Sequence, residues 1–225
     1  MPYICHTKLK DCFIEKPWQG NNPQKSRFLF VGLDANFDEN IENISPFFKE
    51  EISTYLDDGV GYWKDRGFHH PFMHRDYHGS GRLYHDRFSR IGFKPDDADL
   101  VSFVELLHVP TTGRSNLNAS DLSLEHLNKL AEWFDYGSAM YIFFVSRKVT
   151  ELMRQKKPSL DLLPQNQVII NDDFENLKVL RKKNGQIIYE IYHLSCHYDW
   201  QWSMLERQIN DIRAIVRTFT QPHAL

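Results

Sequence analysis

The sequence predicts an α/β fold of three layers, helices on both faces of a mainly parallel central sheet. Three observations carry this. Residues 27–31 and 140–145 are continuous apolar runs, the pattern of strands buried on both faces. Stretches with helical spacing separate the strand-like runs. Strand and helix then alternate along the chain, which favours parallel pairing through crossovers.

The elements follow in order. Residues 1–26 read as irregular, with Pro17, Gly20, Asn21, Asn22 and Pro23 marking a loop before the first strand at 27–31. Phe48, Ile52, Tyr55 and Leu56 then share one helical face. Ser45 is placed to cap that helix, Pro46 suits its first position, and Gly59 and Gly61 are expected to end it. The stretch 62–94 reads as irregular and then helical from Arg82 to Ile91. A strand over 100–107 runs into His108-Val109-Pro110-Thr111-Thr112-Gly113. The segment from Ser120 opens a helix through about Trp133, with Leu124, Leu127, Leu130 and Phe134 on one stripe. Ser146 starts a helix directly after the strand at 140–145. Residues 178–181 and 186–193 flank Asn184-Gly185, a strong hairpin signal. The helix at 204–219 turns Leu205, Ile209, Ile212, Val216 and Phe219 inward. No repeat or interdomain linker is evident, so the 225 residues are read as one domain.

Composition narrows the function classes. The formal net charge is -3, whereas a protein that coats nucleic acid non-specifically is usually basic. Cys5, Cys12 and Cys196 fit neither a disulfide framework nor a four-ligand metal spacing. No apolar run approaches membrane-spanning length. A cytoplasmic, monomeric protein without membrane contact is expected.

Two strand ends carry chemistry. Gly32-Leu33-Asp34-Ala35-Asn36-Phe37 places an acid just past the first strand, where ligands of open α/β sheets bind. Asp34 could equally cap a following turn. His193-Leu194-Ser195 places a histidine past a later strand. If the two strands are parallel neighbours, acid and histidine share a rim and can do acid–base or electrostatic work. A hydrogen-bonded interior histidine is the other reading.

These two segments resemble the motifs of the uracil-DNA glycosylase superfamily. There, a Gly-x-Asp-Pro or Gly-x-Asn-Pro turn follows the first strand and His-Pro-Ser precedes the C-terminal helix. Ser80-Gly81-Arg82 ahead of a helix resembles a segment between them, so the likeness covers about 27–219. Ala35 and Leu194 depart from the family prolines. The resemblance implies a glycosylase-like fold and cleavage of the glycosidic bond of a base flipped out of DNA, with no cofactor or metal. It implies that Asp34 orients water and stabilises the sugar cation, that His193 donates to the leaving base, and that Ser195 contacts phosphate. Gly32, Leu33, Asn36 and Phe37 would shape the substrate turn. Ser80, Arg82, Ser146 and Arg147 would touch DNA, and Tyr62 or Phe72 would stack on the base.

Glu105 aligns with a base-reading residue, often Asn, in that family. An ionised Glu only accepts hydrogen bonds, which would suit a base bearing amino donors better than plain uracil. A buried pairing of Glu105 with Arg or His is the alternative. Residues 62–94 hold five Arg and two Lys against three Asp, a formal +4, with five of the 11 histidines and eight aromatics. That mixture suits phosphate contacts and stacking. His69, His70, His74 and His78 also suggest a metal-dependent hydrolase, although Pro71 and Gly79 oppose the helix that would align them. A non-catalytic nucleic-acid-binding module with the same fold is the third reading.

Overall fold

In a computed structural model, the described residues are 3–39, 41, 48–113, 116–165, 167, 169–171 and 173–220. A seven-stranded sheet has the order β2(Trp18–Gly20), β4(Val101–Glu105), β3(Phe28–Gly32), β6(Tyr141–Val145), β9(Gln186–Ile191), β8(Phe174–Lys183), β7(Ile169–Asn171). The pairings β4–β3, β3–β6 and β6–β9 are parallel, while β2–β4, β9–β8 and β8–β7 are antiparallel. The parallel part is therefore the middle of the sheet, with antiparallel strands at both edges. The antiparallel margin beyond β9 has a local cause. β8 and β9 join through the tight Asn184-Gly185 turn, both residues at positive φ (51° and 78°), and a two-residue turn permits only antiparallel strands.

Successive residues of β3 face opposite layers. Phe28 and Phe30 pack under α3(Gly59–Arg66), α4(Arg82–Ser89) and α7(Asp199–Thr220), through Trp63, Phe88, Leu205 and Ile212. Leu29 and Val31 pack under α5(Leu124–Tyr136) and α6(Arg147–Lys156), through Leu127, Leu130, Phe134, Val149 and Met153. Every residue of β3 is buried, which explains its unbroken apolar run. A third cluster unites α1(Lys10–Glu15) and α2(Phe48–Asp57) with Phe37, Phe72 and Tyr77, beyond the carboxyl end of β3.

Several boundaries differ from the sequence reading. The N-terminal segment is structured: β1(Ile4–Cys5) pairs with β5(Thr111–Thr112), and β2 forms a sheet edge. Two- and three-residue strands are too short to show a period. Gly59 and Gly61 do not end a helix. Gly59 begins α3, because Asp58 accepts from the Gly61 amide at 2.9 Å as its N-cap, so Tyr62 lies in a helix. Within the segment from Ser120, Ser123 caps α5, which starts at Leu124, and α7 begins earlier than expected, at Asp199. The expected cap Ser45 and Pro46 lie outside the described residues. Among the described residues, no helix is long and apolar enough to cross a membrane.

Candidate functional site

The chain leaves β3, forms β4 on one side of it, and later forms β6 on the other. That reversal opens a crevice at the carboxyl ends of the strands, the usual ligand position of such sheets. A pocket of about 250 Å³ occupies it. Gly32, Leu33, Asp34, Asn36 and Phe37 line it from the β3 turn, Glu105 from the end of β4, and His193 and Ser195 from the turn after β9. β3 and β9 are not neighbours, since β6 lies between them, yet they are parallel and their turns share one rim.

The β3 turn is built like a short extra ladder. Thr111 N–H donates to Ala35 O at 2.8 Å, and Phe37 N–H donates to Thr111 O at 2.9 Å. Asn36 Nδ2 donates to Thr111 Oγ1 at 3.0 Å and to Gly113 O at 2.6 Å. The Thr111 hydroxyl, its oxygen occupied by that amide, donates in turn to Asp34 Oδ2. Asp34 is thus a carboxylate held at the pocket by a hydroxyl donor.

His193 sits on the exposed rim with the pocket walls crowded around it. Desolvation lowers its pKa, outweighing the opposing pull of Asp34, and favours the neutral ring. Ser195 N–H donates to its Nδ1 at 3.1 Å, so the single proton of the neutral ring belongs on Nε2. Arg87 holds the turn, donating from Nη1 to Leu194 O at 2.9 Å and Cys196 O at 2.7 Å.

Among the described residues, no Arg or His pairs with the Glu105 carboxyl. Oε2 is buried and has no hydrogen-bond partner among the described residues. A Cβ on Gly32 would lie 2.1 Å from that oxygen, so a larger residue there would require the carboxyl to move. Burial, and then the neighbouring Asp34, push the Glu105 pKa well above the usual carboxylate value. The ionised state assumed from sequence is therefore disfavoured, and with it the argument for amino-bearing bases.

Of the two stacking candidates, only Phe72 lines the pocket. It lies parallel to Tyr77 with ring centres 4.4 Å apart, and a side chain on Gly81 (φ 87°) would strike it at 2.6 Å. Tyr62 is buried elsewhere, its hydroxyl donating to Glu51 Oε2 at 2.7 Å. Arg82 is spent inside its own loop, donating to His74 O and Tyr77 O at 2.7 Å each, while Ser80 is exposed and lends its carbonyl to Tyr77.

Ser146 and Arg147 line a separate cleft of about 710 Å³, with Lys148, Lys178 and Trp200, and His193 borders both. Ser146 caps α6 at a strained φ of 147°, and Arg147 pairs with Glu151 at 2.8 Å on the surface.

The histidine-rich loop does not form a ligand face. Pro71–Met73 is a single 3₁₀ turn, His70 is buried, and His78 is exposed. Among the described residues, no three His, Cys, Asp or Glu side chains converge as metal ligands. Burial instead holds His69, His70 and His85 neutral, His69 down to about 3. His70 accepts from Phe72 N–H through Nδ1 at 3.1 Å, and its Nε2 lies 3.2 Å from Gln19 Oε1. Sequence reasoning missed Thr111, Gln19, Tyr84 and His85 as parts of the site and read His70 only as a candidate metal ligand. Thr111 alone had a visible signal, the end of the segment after β4. No protein-family model and no curated protein sequence matches the chain.

Proposed function

We propose that this pocket hydrolyses the N-glycosidic bond of a nucleotide flipped out of DNA, leaving an abasic site. The supporting observation is that Asp34 and a histidine with its proton directed to Nε2 line one pocket at the reversal of strand order. The order of the two motifs, which resembles that of the uracil-DNA glycosylase superfamily, points the same way.

The chemistry follows from charge. As the C1′–N bond breaks, its electron pair leaves with the base and positive charge builds on the sugar. Asp34 stabilises that cation and orients a water whose oxygen bonds to C1′. The water's proton passes to the departing base or to solvent. His193 donates from Nε2 to the base as it becomes negative, and being neutral it keeps its other nitrogen on the Ser195 amide. Preorganised groups aimed at developing charge supply much of enzymatic catalysis. Phe37 and Phe72 give the base apolar walls.

The second cleft offers Lys148 to the phosphodiester strand, next to His193, while Arg147 and Lys178 there are paired with Glu151 and Glu190 at 2.8 Å each. Tyr198 and Trp200, 68% and 60% exposed just after the histidine turn, offer aromatic surface to neighbouring bases. The protein acts in this reading as a monomer without a cofactor.

The test is a panel of oligonucleotides, each with one altered base, scored for alkali-labile breaks. The native protein is expected to break at least one. Asp34→Asn should lose at least about 100-fold in rate while binding the same DNA. If the native protein leaves no abasic site on any member and the variant binds as it does, the site is a binding module.

A further inference from the structure

We propose that Glu105 works as a neutral carboxylic acid, its O–H donating to a carbonyl oxygen of the bound base and its C=O accepting from the N–H beside it. The inference rests on the glycosidic reading for the word base, but the state of the carboxyl is tested independently of it.

The geometry carries the argument. Two carboxyl groups, Asp34 and Glu105, line one small pocket, and among the described residues no lysine or arginine lines it with them. The titratable groups facing Glu105 cannot neutralise a second negative charge. Asp34 beyond β3 is itself acidic. Tyr55 on α2 and Tyr84 on α4 have pKa values driven up by burial and by Glu105 itself. His70, His85 and His193 are all held toward their neutral forms by desolvation. On α5, His126 lies 2.8 Å from the Glu105 backbone carbonyl through Nε2 and leaves the carboxyl alone. Two carboxylates in such a site cannot both ionise cheaply. Asp34 has the Thr111 hydroxyl as a donor, whereas Glu105 Oε2 is buried without any partner. The proton therefore belongs on Glu105.

The chemistry agrees. A carboxylate at this position would repel a base leaving with an electron pair. A neutral acid donates to it, and that hydrogen bond strengthens as charge develops on the oxygen. Donor and acceptor side by side also reproduce what an amide offers. A base edge with a carbonyl next to an N–H matches both halves. An amino group next to a ring nitrogen can pair as well, but the amino group takes up none of the leaving charge.

Glu105→Gln is the informative variant, since it is nearly isosteric beside Gly32 and keeps a donor and an acceptor at every pH. Wild-type activity should fall as pH rises through the native pKa of Glu105, because ionisation removes the donor. Glu105→Gln, whatever its rate at neutral pH, should lack that alkaline loss. Glu105→Ala should lose about 100-fold throughout. Infrared difference spectra of the resting protein read the carboxyl directly. A protonated carboxyl band should be present in the wild type at neutral pH and absent from Glu105→Gln. An absent band in the wild type, or a Glu105→Gln variant that keeps the alkaline loss, overturns the proposal. Because the band needs no turnover, its presence with no abasic product on any oligonucleotide upholds the neutral acid and rejects only the glycosidic reading.

Discussion

The two turns that bring Asp34 and His193 to the pocket solve one problem in opposite ways. Both have an ordinary residue, Ala35 or Leu194, where the sequence resemblance would place a stiffening proline. The Asp34 turn is fixed by backbone pairing with β5, with Asn36 and Thr111 adding a side-chain relay to the carboxylate. The His193 turn has no paired strand among the described residues. One guanidinium, Arg87, collects its carbonyls from a different helix, while Leu194 is buried in the core. Positioning by a ladder is distributed over many weak bonds. Positioning by a single cation concentrates it in one side chain, which makes the second turn the more fragile.

The largest effect expected outside the pocket is accordingly at Arg87. Arg87→Met removes a charged donor from two carbonyls and lifts the guanidinium off Trp202, where it lies 4.2 Å from the ring centre. Hydrogen bonds to charged groups contribute about 1.5–3 kcal/mol each, so a loss of roughly 2–4 kcal/mol is expected in denaturant titration. Activity should drop with stability, because His193 loses its aim. A variant as stable as the wild type would show that the buried Leu194 side chain alone holds the turn.

Thr111→Val sharpens the contrast from the other side. It removes the hydroxyl that donates to Asp34 and accepts from Asn36, but leaves the Thr111 backbone bonds intact. Stability should fall by only about 1 kcal/mol. The rate should fall roughly tenfold or more, in kcat rather than KM, since the hydroxyl positions a charge used in the transition state. If KM rises instead and kcat holds, Thr111 shapes binding and not Asp34. Taken together, Arg87 should move stability and activity, and Thr111 mainly activity.

What was legible in the sequence follows the same division. The strand end carrying Asp34 was visible because a buried parallel strand announces itself locally, in an unbroken apolar run, and the one carrying His193 because Asn184-Gly185 marks the hairpin before it. Their partners were not. Thr111 meets Asp34 across 77 positions, and Arg87 meets Leu194 across 107. Gln19 reaches the site from a three-residue strand with no readable period. Tyr62 and Phe72 looked alike as aromatics in one basic stretch, and only packing separates the pocket wall from the ring tied to Glu51. Glu105 was read inside a strand over 100–107, whereas β4 ends at it, and its charge state depends on Asp34 and on the absence of a cation from the pocket lining among the described residues, facts of tertiary neighbourhood.

The smallest expected effect tests whether the ladder has made a proline redundant. Proline stabilises mainly by restricting the unfolded chain, by up to about 1 kcal/mol where the native backbone accepts it. At position 35 the native turn is already held by Thr111 from both sides, so Ala35→Pro has little native motion left to remove. It should leave the rate unchanged within about twofold, and raise stability only by that unfolded-state contribution. A larger gain in rate would mean that Asp34 samples unproductive positions despite the ladder, and would erase the distinction between the two turns. A loss of several kcal/mol would mean that residue 34 or 35 adopts a backbone that proline forbids, in which case alanine is required at this turn rather than merely tolerated.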